Sequence, residues 1–141
     1  MQVFIIGTPL ETAMVLDGAR MRKQIIEVGQ ILDALNGAKA WSNHPCVLQY
    51  RGHEKWLEHY RDCLMFYARG EYKLAQIESY YADDLYRPSW HCDSYFTQMK
   101  RRLYTKAPEH YAQWTEYGKS DCNWYFVNGV WRMYVNGKRI E

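Results

Sequence analysis

Asp17-Gly18-Ala19-Arg20-Met21-Arg22-Lys23-Gln24-Ile25-Ile26-Glu27 is the stretch whose periodicity sets the fold class. Met21, Ile25 and Val28, continued by Leu32 and Leu35, recur every three or four residues, while Arg20, Lys23, Gln24, Glu27 and Gln30 fall on a second stripe. That is the period of an amphipathic helix, not of a strand. Asp17-Gly18 interrupts the apolar pattern with a residue able to cap, which predicts two helices, roughly 9–16 and 18–36. Thr8-Pro9-Leu10-Glu11 opens the first, with a capping hydroxyl, a proline at the first helical position and a carboxylate three residues after the cap.

Downstream, Asn43-His44-Pro45 starts a short helix to about Tyr50. The segment from His53 is helical by the spacing of Trp56, Leu57, Tyr60, Leu64 and Tyr67, with Gly70 as its stop. A further helix is expected over about 71–81, and Asp83-Asp84 and Pro88 mark a loop. Asp93 can cap a helix to about Tyr104, and Pro108 can open a short one through Trp114. From Trp124 the composition changes to β-prone aromatic and branched residues punctuated by Asn128-Gly129 and Asn136-Gly137. Asn-Gly between such runs signals hairpins, so a three-stranded meander is expected, with one aromatic face packed on the helices. The expected architecture is mainly α: a compact single-domain helical bundle over 1–141 with a small C-terminal antiparallel β-meander over 124–141.

Composition agrees with one core: 48% of the 141 residues are hydrophobic and 16% aromatic, enough to close one interior but not two. A net charge of +2 excludes both a basic coat and an acidic tail, so any anion site must be local. Cys46, Cys63, Cys92 and Cys122 form no Cys-x-x-Cys pair and read as reduced thiols, with no metal or cofactor expected. The apolar run Val3 to Ile6 is too short for a signal-peptide core or a membrane span, which predicts a cytoplasmic protein, in a host cell or produced there by a phage, with no membrane partner.

On charge pattern alone, the polar stripe of the second helix also fits a solvated face with Lys23 and Glu27 paired at i,i+4. A resemblance adds to that reading. Arg20 stands seven positions before Glu27, and Trp41-Ser42-Asn43-His44-Pro45, Arg51-Gly52-His53-Glu54, Arg69-Gly70-Glu71-Tyr72, Pro88-Ser89-Trp90 and Lys106-Ala107-Pro108-Glu109-His110-Tyr111 follow in order. In that order and spacing the chain, over about residues 1–114, resembles the pyrimidine-dimer DNA glycosylase (endonuclease V) family, in a divergent small bacterial or phage branch.

The resemblance implies a glycosylase or glycosylase/AP lyase: an N-terminal amine attacks the sugar C1′ of a damaged nucleotide and a helix glutamate assists. Carried onto this sequence, Glu27 is the carboxylate and the amine of Met1 the nucleophile, with Gln2 standing where the family has a small residue. An α-amine, with a reference pKa of about 8, is partly neutral near neutral pH. Arg20, Arg22, Lys23 and Gln24 would hold the ligand's phosphates, joined by His44 and His53 if these approach Glu27. Lys100 and Arg101, in a cluster with Arg102 and Lys106, are a secondary phosphate contact, with an ordinary solvated face as the alternative. Tyr125, Trp131 and Tyr134 read either as a base-stacking platform or as core.

The partner is therefore DNA or a nucleotide. The near-neutral charge suits a second reading, a non-catalytic protein that sequesters a nucleotide or nucleotide-derived signal on the same scaffold. The free edge of the meander offers a surface for homo-oligomer pairing.

Overall fold

The computed structural model describes residues 1–69 and 86–140. The predicted helix over 71–81, the Gly70 stop of the helix before it and the Asp83-Asp84 loop lie outside the described residues. Among the described residues the protein is mainly helical with a small C-terminal antiparallel sheet.

Helix α1 spans Pro9–Val15, and its capping box forms as the sequence predicts: the Glu11 N–H donates to Thr8 Oγ1 at 3.1 Å and the Thr8 N–H to Glu11 Oε1 at 3.4 Å. Helix α2 follows as Gly18–Leu35. Asp17 occupies its N-cap, but its side chain makes no capping bond. The carboxylate instead accepts the Tyr111 hydroxyl at 2.5 Å and Arg20 at 3.1 Å, and the Asp17 N–H donates to the same Tyr111 oxygen at 2.9 Å. A tie to residue 111 thus replaces the expected local cap.

Pro45–Tyr50 forms α3, capped by His44 Nδ1, which accepts the Cys46 N–H at 3.1 Å. Glu54–Arg69 forms α4 and Asp93–Lys106 forms α5. Cys92, not Asp93, is the N-cap of α5, and Asp93 lies in the first turn, where a negative charge suits the helix dipole. The α-helix expected from Pro108 is instead a turn leading into a 3-10 helix, Ala112–Tyr117, ended by Gly118 at φ 75°. Strands β1 (Cys122–Val127), β2 (Val130–Val135) and β3 (Lys138–Arg139) form the predicted meander in that order. Both Asn-Gly pairs have positive φ at each residue, the geometry that closes a two-residue hairpin with the twist of its strands.

The core lies between α2 and α4, with Val28, Ile31, Trp56, Leu57, Tyr60 and Leu64 fully buried. The N-terminal segment runs through it in extended form and buries Val3, Phe4 and Ile5. A second, aromatic cluster of Tyr50, Trp56, Trp90, His91 and Tyr95 joins α3, α4 and the start of α5.

The expectation that one face of the meander packs on the helices is too simple. Tyr125, on one face of β1, is 3% exposed and donates its hydroxyl to the Met1 carbonyl at 3.0 Å. Phe126 and its pairing partner Trp131, on the other face, meet Trp90, and Trp131 also reaches Tyr95 at 5.5 Å. All four cysteines carry free thiols. No helix among the described residues is long and apolar enough to cross a membrane.

Candidate functional site

The site begins with one buried side chain. Gln24 falls on the polar stripe of α2 by sequence, yet it is 1% exposed because the N-terminal segment lies across it. Its Nε2 donates to the Gln2 carbonyl and its Oε1 accepts the Phe4 N–H, both at 2.7 Å, as a neighbouring β-strand would. The Tyr60 hydroxyl adds contacts to the Phe4 carbonyl and to Gln24 Oε1. One turn along α2, Glu27 Oε2 accepts the Gln2 N–H at 3.1 Å. The Met1 amine lies three covalent bonds from that nitrogen, hence within about 4 Å of it.

These groups border a cavity of about 170 Å³ lined from α2 by Arg20, Lys23, Gln24 and Glu27, from the N-terminus by Met1 and Gln2, and from the opposite side by Arg102, Lys106 and Asn123. Such a volume takes a sugar or a phosphate group, not a whole nucleotide. Four cations surround one carboxylate. Lys23 Nζ is 3.9 Å from Glu27 Oε1, a loose pair in which the Lys23 side chain is 71% exposed, whereas the Glu27 side chain is only 14% exposed.

Arg102 is fixed in place, donating Nε–H to Asn123 Oδ1 and Nη1–H to the Ser120 carbonyl, both at 2.9 Å. Lys106 titrates below its ordinary range because of partial burial and then the positive charges of Arg102, Lys23 and Arg20, only partly opposed by Glu27. Mutual repulsion of this kind is relieved by a bound anion.

Five sequence-predicted residues, Met1, Arg20, Lys23, Gln24 and Glu27, therefore meet in one cavity. The other five do not line it. Arg22 is exposed on the neighbouring face of α2. His44 is half-buried on the far side of Met1, in an adjoining cavity with Tyr125 and Tyr134, and burial and then the N-terminal charge lower its pKa. His53 packs edge-on against Trp90 at 6.3 Å, well removed along the chain's surface. Lys100 sits over the Trp114 and Tyr117 rings, and Arg101 donates to Gln98 Oε1 and to the Lys119 carbonyl. Of the three rings considered for stacking, Tyr125 is buried, while Trp131 and Tyr134 are half-buried.

The family model described as pyrimidine dimer DNA glycosylase matches residues 1–76, more than half of the chain. The chain belongs to the pyrimidine dimer DNA glycosylase family. No curated protein and no solved structure matches it.

In this pyrimidine dimer DNA glycosylase family member, the matched span carries the α2 and N-terminal wall of the cavity, and the wall made by Arg102, Lys106 and Asn123 comes from beyond it. Arg102 and Lys106 are four apart on α5 and so share a face, while Lys100 and Arg101 are rotated away. Adjacency to the buried Met99 and Leu103 does not single them out in the sequence, since Lys100 adjoins Met99 and lies three from Leu103 just as Arg102 adjoins Leu103 and lies three from Met99. Among the described residues, no group of His, Cys, Asp and Glu is arranged to hold a metal ion.

Proposed function

We propose that this protein is a DNA glycosylase with AP lyase chemistry, in which the Met1 amine is the nucleophile and Glu27 the assisting carboxylate. The observation that carries this reading is the 3.1 Å hydrogen bond from the Gln2 N–H to Glu27 Oε2, three bonds from the Met1 amine, at the edge of a cationic cavity. The neutral amine attacks C1′ as the bond from C1′ to the base breaks. The amine's proton passes to Glu27, and the departing base takes up a proton.

Opening of the sugar ring by cleavage of the C1′–O4′ bond gives a Schiff base. Removal of a C2′ proton then expels the 3′-phosphate by β-elimination. Glu27 is suited to stabilise positive charge at C1′ and to relay these protons, because its side chain is largely withdrawn from solvent. Arg20, Lys23, Arg102 and Lys106 hold the flanking phosphates.

Borohydride reduction in the presence of abasic and ultraviolet-irradiated DNA tests the reaction. Wild type should give a covalent adduct, chemical blocking of the amine should abolish it, and Glu27→Gln should reduce it by about a hundredfold or more. No adduct on either DNA would overturn the reading.

One observation favours a second reading. With a net charge of only +2, the chain still places four cations on one small cavity, as suits the phosphate of a nucleotide held without turnover. Saturable nucleotide binding that depends on Lys23 and Lys106, in a protein that yields no adduct, would support it.

A further inference from the structure

Beside the Glu27 cavity lies another, of about 230 Å³, lined by Met1, His44, Asn123, Tyr125 and Tyr134 among others. Met1 and Asn123 border both, so the two cavities adjoin at the N-terminus. Arg20, Lys23, Arg102 and Lys106 all stand on the first, and among the described residues no charged side chain lines the second. A cavity of about 150 Å³ encloses a benzene ring, so the second has room for one six-membered base.

His44 distinguishes this cavity from an ordinary surface depression. Its Nδ1 accepts the Cys46 N–H at 3.1 Å, and its ring stands edge-on to Trp41 at 5.8 Å and to Tyr125 at 6.0 Å, which fixes its orientation. Capping α3 does not call for an imidazole, because Ser, Thr, Asp and Asn are the residues that cap best. What the imidazole adds is a second nitrogen. With Nδ1 accepting, the neutral ring carries its proton on Nε2. That nitrogen makes no hydrogen bond to the described residues, which leaves it as a donor for an occupant of the cavity. Burial, and then the positive charge of the Met1 amine, hold the ring below its ordinary pKa of 6.5, so it is uncharged at neutral pH.

We infer that His44 is a further catalytic residue, whose Nε2–H donates to the O2 carbonyl of the pyrimidine that leaves C1′. The inference rests on the proposed attack by the Met1 amine and adds the group that receives the leaving base. As the amine lone pair forms the bond to C1′, the electron pair of the C1′–N1 bond passes to the base and spreads from N1 onto O2. A neutral imidazole stabilises charge on that oxygen by hydrogen bonding and keeps its own proton. The amine's proton goes to Glu27, and the base nitrogen takes its proton from solvent. With phosphates held on one side of Met1 and the base on the other, C1′ falls beside the amine.

Single-turnover borohydride trapping on two DNAs, one carrying abasic sites and one ultraviolet-irradiated, tests this with wild type, His44→Asn and His44→Gln. The Asn amide oxygen replaces Nδ1 in the cap but presents no donor where Nε2 stood. The Gln amide nitrogen reaches the position of Nε2 but leaves the cap unmade. An abasic site has no base to expel, whereas the adduct forms on irradiated DNA only as the base leaves. His44→Asn should therefore trap abasic DNA within about twofold of the wild-type rate and irradiated DNA about a hundredfold more slowly. His44→Gln, though less stable, should trap irradiated DNA about tenfold or more faster than His44→Asn.

No adduct between wild type and abasic DNA would defeat the reading of Met1 as nucleophile, and this inference with it. Four results would overturn the inference while leaving the amine chemistry intact. These are a wild type that traps abasic but not irradiated DNA, equal slowing of His44→Asn on both DNAs, a His44→Asn that is not slowed on either, and a folded His44→Gln as slow as His44→Asn.

Discussion

The Gln24 side-chain amide holds the backbone of Phe4 by accepting its N–H at 2.7 Å, while its other end donates to the carbonyl two residues earlier. One residue of α2 thereby supplies the strand-like partner that the extended N-terminus otherwise lacks. It also fixes where Met1 emerges relative to Glu27.

Replacing Gln24 with methionine should therefore cost stability and function together. The change keeps the volume but leaves the Phe4 N–H and the Gln2 carbonyl buried without that partner, a loss of about 2–4 kcal/mol. Urea denaturation should show the lower midpoint. DNA cleavage by the folded variant should fall as well, since the amine is no longer held beside the carboxylate. A variant as stable as wild type would show that the N-terminus is held by packing alone.

Salt dependence separates the cations of the cavity from those elsewhere. If Lys23 and Lys106 each neutralise one phosphate, Lys23→Ala and Lys106→Ala should each flatten the plot of log affinity for DNA against log salt by about 0.9. Lys100→Ala should change it little, because its amine rests over the Trp114 and Tyr117 rings. Equal flattening by all three would show a diffuse basic surface.

Stability should fall on mild acidification. His44, His53 and His91 all titrate below their ordinary value of 6.5, in each case chiefly because burial disfavours the charged ring. A depressed pKa means that the unfolded chain takes up protons first. Their contribution is complete above about pH 6.5 and is lost as the pH falls through the folded values. Asp17, which burial tends to raise but Tyr111 and Arg20 hold below 3.8, acts in a separate and more acidic window. Thermal unfolding followed across these two ranges should show both steps. His44→Asn, which keeps an acceptor for the cap of α3, should weaken only the first; an unchanged first step would exclude His44 from it.

The local elements of this fold were legible because their signals are local. Thr8 and Glu11 form a box four residues long, His44-Pro45 starts α3, and Asn128-Gly129 and Asn136-Gly137 each contain their own turn. The site was half legible for the same reason: Arg20, Lys23, Gln24 and Glu27 share one helical face. What periodicity does not encode is which distant segment covers that face. Gln24 reads as solvent-facing until the N-terminus lies over it, and Asp17 reads as a cap until the Tyr111 hydroxyl, 94 residues away, takes its carboxylate. Arg102 and Lys106 join the site through the packing of α5 and β1, which no spacing within α2 can announce.

The most direct measurement is peptide mapping of the borohydride-trapped adduct by mass spectrometry after trypsin digestion. Arg20 is the first basic residue of the chain, so the whole N-terminal segment is released as residues 1–20. The proposed chemistry predicts the sugar remnant on that peptide, at the α-amine of Met1. A remnant on Lys23 or Lys106, or no trapped species from a protein that binds the same DNA, would contradict it.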